Sequence, residues 1–118
     1  MLPGRPSARF RLRITAGETI AIGPGKIALL EAIAATGSIT SAAKSLDMSY
    51  RRAWLLIEEL NSALGHPAVD SAKGGQSGGG SELTDVGRQL IDVYRRIEAT
   101  AEMACAADIK LLMRMLAR

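Results

Sequence analysis

Residues 40–61 read Thr40-Ser-Ala-Ala-Lys-Ser-Leu-Asp-Met-Ser-Tyr-Arg-Arg-Ala-Trp-Leu-Leu-Ile-Glu-Glu-Leu-Asn61, and the fold follows from this stretch. Ser38 or Thr40 can cap a short helix over 41–46, because either hydroxyl can accept a hydrogen bond from an otherwise unpaired amide of the first turn. Asp47-Met48 reads as a tight turn, and Ser49 as the cap of a longer helix reaching about residue 64. In that helix Ala53, Leu56, Ile57 and Leu60 recur at helical spacing and form an apolar stripe. Two helices joined by so short a turn cross steeply and closely, so the paired Ala42-Ala43 provides the small side chains that the crossing requires. Leu46, Met48, Ala53 and Leu56 fill the space beneath. Trp54, the single tryptophan, is expected in the core among Leu55, Ile57 and the alanines. The pattern is a helix-turn-helix.

Upstream, residues 1–8 hold two prolines and a glycine and read as a flexible arm. Arg9-Phe-Arg-Leu-Arg-Ile14 alternates charged and apolar residues, which predicts a strand with Phe10, Leu12 and Ile14 facing inward. A turn at 16–18 leads to a second brief extended piece over 19–22. Gly23-Pro24-Gly25 opens a helix carrying Ile27, Leu30, Ile33 and Ala34 on one face, and Gly37 closes it.

Downstream, Gly65-His66-Pro67 stops the second helix of the pair, and 68–71 is a strand candidate. The run 73–80 is too rich in glycine for a packed element and is expected to be a loop. Residues 82–83 resume a strand, and Thr84 followed by Asp85 caps a last helix reaching about residue 116. Unbroken, that helix is about 48 Å long at about 1.5 Å per residue; Asp108 could instead cap a separate final helix. Its stripe of Val86, Leu90, Val93, Ile97, Ala101, Ala104, Leu111 and Met115 outruns the surface of so small a body, so a partner helix is expected. The fold class is mainly α with a small β-hairpin wing: a flexible arm at 1–8, a winged helix-turn-helix over 9–83 with its wing loop at 73–80, and a long dimerisation helix over 84–118.

The chain has 118 residues and a formal net charge of +3, which fits a single domain. Aromatic residues are only 3% against 47% apolar overall, so the core must be built from Ala, Leu, Ile and Met packed between helices. One cysteine, Cys105, and one histidine, His66, rule out an intrachain disulfide, a paired soft-ligand metal site and any Ser/His/Asp or Cys/His catalytic set. An enzyme is therefore not expected, nor is a cofactor or a bound metal. A nucleotide-binding loop is excluded as well, because the glycine run ends in Gly80-Ser81-Glu82, with an acid where the phosphate-binding lysine would stand. No segment has the apolar length of a signal peptide or a membrane span, so a cytoplasmic protein without membrane contact is expected.

The charges gather where a duplex could lie. Four of the fifteen basic residues, Arg5, Arg9, Arg11 and Arg13, precede the first acid, Glu18. Ser49, Tyr50, Arg51, Arg52 and Leu55 stand near the start of the second helix of the pair, where arginine forks match guanine edges or phosphates. Thr40, Ser41 and Lys44 of the first helix, with Lys73 and Gln76 of the wing, complete the candidate DNA contacts. The competing reading of Arg51 and Arg52 is a solvated surface paired with Glu58 or Glu59. At the level of function, the competitor to a DNA-binding protein is an adaptor that takes a non-DNA partner or small ligand and dimerises through its long helix.

The run from Thr40 to Asn61 resembles the N-terminal DNA-binding domain of the molybdate-responsive transcriptional regulators (ModE type), and more loosely a LysR-like helix-turn-helix. Gly37-Ser-Ile-Thr40, Ser49-Tyr50 with Ala53-Trp54, the glycine-rich wing, and Leu83-Thr84-x-x-Gly87-x-x-Leu90-Ile91-x-x-Tyr94 carry the resemblance over roughly residues 10–105. It implies a winged helix with Tyr50, Arg51 and Arg52 at the major groove and a homodimer made by the long helix. It further implies repression of molybdate-transport or molybdenum-related genes from a pseudo-palindromic operator. Full-length members carry C-terminal domains that bind molybdate or tungstate; none is expected within these 118 residues.

Overall fold

The computed structural model describes residues 4–74 and 80–116. In chain order the elements are β1 (Ile14–Ala16), β2 (Thr19–Ile22), α1 (Pro24–Thr36), α2 (Ile39–Ser45), α3 (Tyr50–Ala63), β3 (Val69–Gly74), β4 (Gly80–Leu83) and α4 (Asp85–Arg114). The fold is a winged helix: three short helices, an antiparallel β3–β4 wing, and a long C-terminal helix.

Each helix begins and ends on a local device. Pro24 occupies the first turn of α1, and Gly37 ends the helix at φ +83°, donating its amide to the Ile33 carbonyl at 2.8 Å. Ser38, not Thr40, caps α2, its hydroxyl accepting from the Ser41 amide at 3.0 Å. Ser49 caps α3 by accepting from the Arg52 amide at 3.1 Å, and Thr84 caps α4 by accepting from the Gly87 amide at 3.1 Å. Between α2 and α3 the chain reverses on Asp47, at φ +57°. There Met48 donates to the Ala43 carbonyl (3.0 Å) and Asp47 to the Lys44 carbonyl (3.1 Å), the paired bonds of a Schellman ending. Aspartate tolerates the left-handed region better than most residues.

The core is one cluster. Ile27, Leu29, Leu30 and Ile33 of α1 meet Ile39, Ala42 and Ala43 of α2, then Ala53, Ile57 and Leu60 of α3. Val69 and Leu83 of the wing and Tyr94 of α4 close it. Both alanines of the pair are buried, as a close crossing demands.

The first hairpin corrects the reading of residues 9–14 as a strand. Pairing starts only at Ile14, with register Ile14↔Ile22, Thr15↔Ile20 and Ala16↔Thr19, and Ile14 is 48% exposed. Residues 9–13 lie extended without a strand partner, and the half-burial of Phe10 and Leu12 produces the alternation. Their anchor is a side chain: Tyr94, buried in α4, donates its hydroxyl to the Leu12 carbonyl at 2.8 Å.

The wing is fastened at its base. The Ser81 amide donates to the Gly37 carbonyl (2.8 Å), tying β4 to the end of α1. Around Ala68 four bonds converge: its amide donates to Asn61 Oδ1 (2.8 Å) and its carbonyl accepts from the Thr84 amide (3.0 Å). The Thr84 hydroxyl donates to the Pro67 carbonyl (2.7 Å) while accepting from Gly87. A Cβ placed on Gly87 would stand 2.3 Å from the Ala68 oxygen, so glycine is required for α4 to approach this closely. The end of α3, the foot of the wing and the start of α4 thus form one rigid joint.

α4 runs unbroken for 30 residues, past Asp108, to Arg114. At about 1.5 Å per residue it is about 45 Å long, most of the molecule's 56 Å greatest extent. Among the described residues no helix is long and apolar enough to cross a membrane.

Candidate nucleic-acid interface

The turn at Asp47 and the Ser49 cap present the first turns of α3 outward. Tyr50 (52% exposed), Leu55 (43%), Arg51 and Arg52 lie on the surface. Trp54 lies there too, at 44%, which corrects its expected place in the core. The α3 stripe that faces inward is Ala53, Ile57 and Leu60, and Trp54 falls one residue outside it, beside Leu55. An exposed Tyr-Arg-Arg…Trp-Leu surface combines guanidinium forks with apolar faces, the chemistry that reads base edges and thymine methyl groups.

Neither arginine is engaged. Glu59, offered by the sequence as a partner for them, instead lies 3.2 Å from the ammonium of Lys26, which is buried at 5% exposure and also donates to the Ile20 carbonyl. Arg51 and Arg52 form no ion pair among the described residues. Thr40, Ser41 and Lys44 are exposed on α2, and Ser49 is exposed although its oxygen caps α3. Lys73 lies within strand β3 and Gly80 within β4, so the wing loop is shorter than the expected 73–80; Gln76 falls outside the described residues.

The long helix carries two kinds of apolar residue. Leu90, with Ile91, packs partly against the chain's own core, so Leu90 is only partly available to a partner, and Val86 and Ala101 are half-buried. Val93 (37% exposed), Ile97 (45%) and Leu111 (52%) are uncovered, as is Ala104. Met103, Leu112, Met115 and Leu116 add further exposed apolar surface beyond the globular body.

Three contacts that position these surfaces have no local sequence signature. Lys26 joins β2, α1 and α3. Arg95 on α4 grips both carboxylate oxygens of Glu31 on α1 at 2.9 and 2.6 Å, pairs with Glu98 at 2.6 Å, and stacks 5.8 Å from the Tyr94 ring centroid. The hydrogen bond from Arg95 holds the Glu31 carboxyl below its ordinary range, and its two carboxylates keep Arg95 firmly charged. Burial pushes the Tyr94 phenol up, so it remains a donor to Leu12. Each contact joins residues distant in sequence, and only the alternation at 9–13 hinted at one of them.

Comparison with known proteins yields a consistent set. Residues 25–88 match the family described as bacterial regulatory helix-turn-helix protein, lysR family. Over 78 residues the chain is 45% identical to the molybdenum-pterin-binding protein MopB of Rhodobacter capsulatus, covering 66% of this chain and 29% of that protein. Over 87 residues it is 39% identical to the DNA-binding transcriptional dual regulator ModE of Escherichia coli K12, covering 74% and 33%. The chain thus spans about a third of the length of these relatives. Among solved structures, the DNA-binding domain of CbnR, crystallised with DNA, superposes with a TM-score of 0.58 at 24% identity, covering 75% of this chain and 95% of that one. This last likeness establishes the fold.

Proposed function

The chain belongs to the lysR family of bacterial regulatory helix-turn-helix proteins, and from that premise we propose that it is a cytoplasmic, sequence-specific transcriptional regulator of molybdate-transport or molybdenum-related genes. It binds double-stranded DNA as a homodimer and acts as a repressor. The observation that carries this reading is the unpaired, exposed surface of α3: Tyr50, Arg51, Arg52, Trp54 and Leu55, with Thr40, Ser41, Lys44 and Ser49 alongside. α3 enters the major groove, and Lys73 and Gln76 on the wing reach the neighbouring backbone.

The dimer reading rests on the uncovered apolar residues of α4. Val93, Ile97, Ala104 and Leu111 form a continuous stripe, with Val86, Leu90 and Ala101 at its edge. A helix with this much exposed apolar surface calls for a partner, and a second copy of the same helix supplies a matching stripe. Two copies of α3 about 34 to 36 Å apart would meet successive major grooves of a pseudo-palindromic operator. The molybdate setting comes from the relatives' names. No cofactor or metal is assigned to this chain, and oxyanion sensing is not part of the proposal.

Fluorescence anisotropy with duplexes from promoters of molybdate-transport operons tests the reading. Binding should weaken steeply as salt rises, and Arg51→Ala and Arg52→Ala should each cost about 1 to 3 kcal/mol if they contact bases. Absence of binding to every duplex would overturn it in favour of an adaptor that dimerises through α4.

A further inference from the structure

We propose that the first hairpin is a second DNA-backbone contact, in which Arg11 and Arg13 act with Arg52 to hold the phosphates beside the groove that α3 enters. The inference rests on the DNA-binding reading above and extends it to a surface outside the helix-turn-helix and the wing.

The geometry begins with a cavity of about 510 Å³ between the hairpin, the start of α1 and the outer side of α3. Arg11 and Arg13 stand on its hairpin side and Arg52 on its α3 side, with Gly23, Pro24 and Gly25 between them. The cavity therefore runs from the hairpin arginines directly onto the proposed reading surface. Four cations line it, Lys26 included, against two carboxylates, Glu18 and Glu59. Glu59 is already paired with Lys26, and Arg11, Arg13 and Arg52 have no ion-pair partner among the described residues. The first turn of α1, which forms the cavity floor, carries no acid to repel an anion.

The arginines are held in place by their backbone. Tyr94 fixes the Leu12 carbonyl, and Leu12 packs partly against the core, so its neighbours Arg11 and Arg13 are exposed on either side. The stem of Arg13 passes over Gly23, its Cγ 3.7 Å from where a Cβ would stand. Arg9 does not join this group; it lines a different concavity with Glu98 and Glu102.

The size of the cavity would also admit a small ligand, yet its polar groups argue for a backbone phosphate. Among the described residues no buried side-chain donor or acceptor is left without a partner, and Lys26, the buried cation of the lining, is satisfied within the fold. The unsatisfied charges are the exposed arginines at the rim, as suits a surface that meets a polyanion lying across it.

The test compares the full chain with an Arg11→Gln/Arg13→Gln variant, using an operator duplex selected from random sequence and a scrambled duplex of equal length. Two lost phosphate contacts lower the slope of log K against log salt by about 1.8, so between about 50 and 200 mM salt the wild type weakens about 12-fold more than the variant. The loss should be equal on both duplexes, because phosphates carry no base information. An unchanged slope in the variant, with wild-type binding intact, overturns this inference alone. Failure of the wild type to bind either duplex overturns both it and the reading beneath it. Saturable binding of inorganic phosphate, seen by arginine side-chain NMR and lost in the variant while the DNA slope stays unchanged, would identify a small-anion site and likewise overturn it.

Discussion

Asp47 and Gly87 are the residues whose backbone demands set the geometry of the reading surface. Asp47 sits at φ +57° in the turn that aims α3. A β-branched residue fits that region poorly, so Asp47→Val should cost about 1 to 2 kcal/mol, while Asp47→Asn should stay within about 0.5 kcal/mol. Urea unfolding of the pair checks this, and equal losses would count against a conformational cause. Gly87→Ala must displace the Ala68 carbonyl and should cost about 1 to 3 kcal/mol, read as a lowered thermal midpoint. At this scale the sequence was legible where a residue acts on its own backbone: the caps Ser49 and Thr84 and the closing Gly37 follow from residue type and position. It misled at Trp54. A large aromatic beside an apolar stripe resembles a core residue, yet its position about one hundred degrees from Ala53 around the helix turns it to the surface.

Among the elements, α4 is attached to the rest of the fold by Tyr94 and Arg95. Tyr94→Phe leaves the Leu12 carbonyl without its donor and should cost about 1 kcal/mol. Amide exchange at residues 9–13 should quicken in that variant, because this stretch has no strand partner to hold it. The Arg95–Glu31 pair gives a pH dependence. The Glu31 carboxyl is held below its ordinary value of 4.5 by the Arg95 hydrogen bond, so the folded state takes up this proton less readily than the unfolded chain. The stabilisation is complete above that value and is lost as pH falls below it. The pair is about 40% exposed, so its contribution stays under about 1 kcal/mol. Glu31→Gln should therefore lose less stability than the wild type between about pH 6 and pH 3, measured by urea midpoints. The helices were readable in outline from apolar periodicity, whereas the strand at 9–14 was not. Alternation records burial on one side, and a coil packed against a helix produces it as readily as a paired strand.

At the scale of the whole molecule, the uncovered stripe on α4 makes the folded monomer an incomplete object. Ile97→Asp with Leu111→Asp places charges on the exposed apolar face without touching the core, and should convert the proposed homodimer to a monomer by sedimentation equilibrium. Affinity for a two-half-site duplex should then fall to that for one half-site, while far-ultraviolet circular dichroism stays unchanged. A wild type that is already monomeric at micromolar concentration would overturn the dimer proposal.

The sequence by itself determined the helix-turn-helix, its paired alanines, its caps and the length of the last helix, because each depends on residues within a few positions of one another. The tertiary structure alone decided which charges are free. Glu59 stands on the same helix as Arg51 and Arg52, and only the approach of α1 assigns it to buried Lys26 and leaves the arginines unpaired. In the same way, Tyr94 reaches across 82 positions to fix Leu12 and the arginines beside it. Pairings of that kind depend on how elements cross in space, and no local pattern in the chain encodes them.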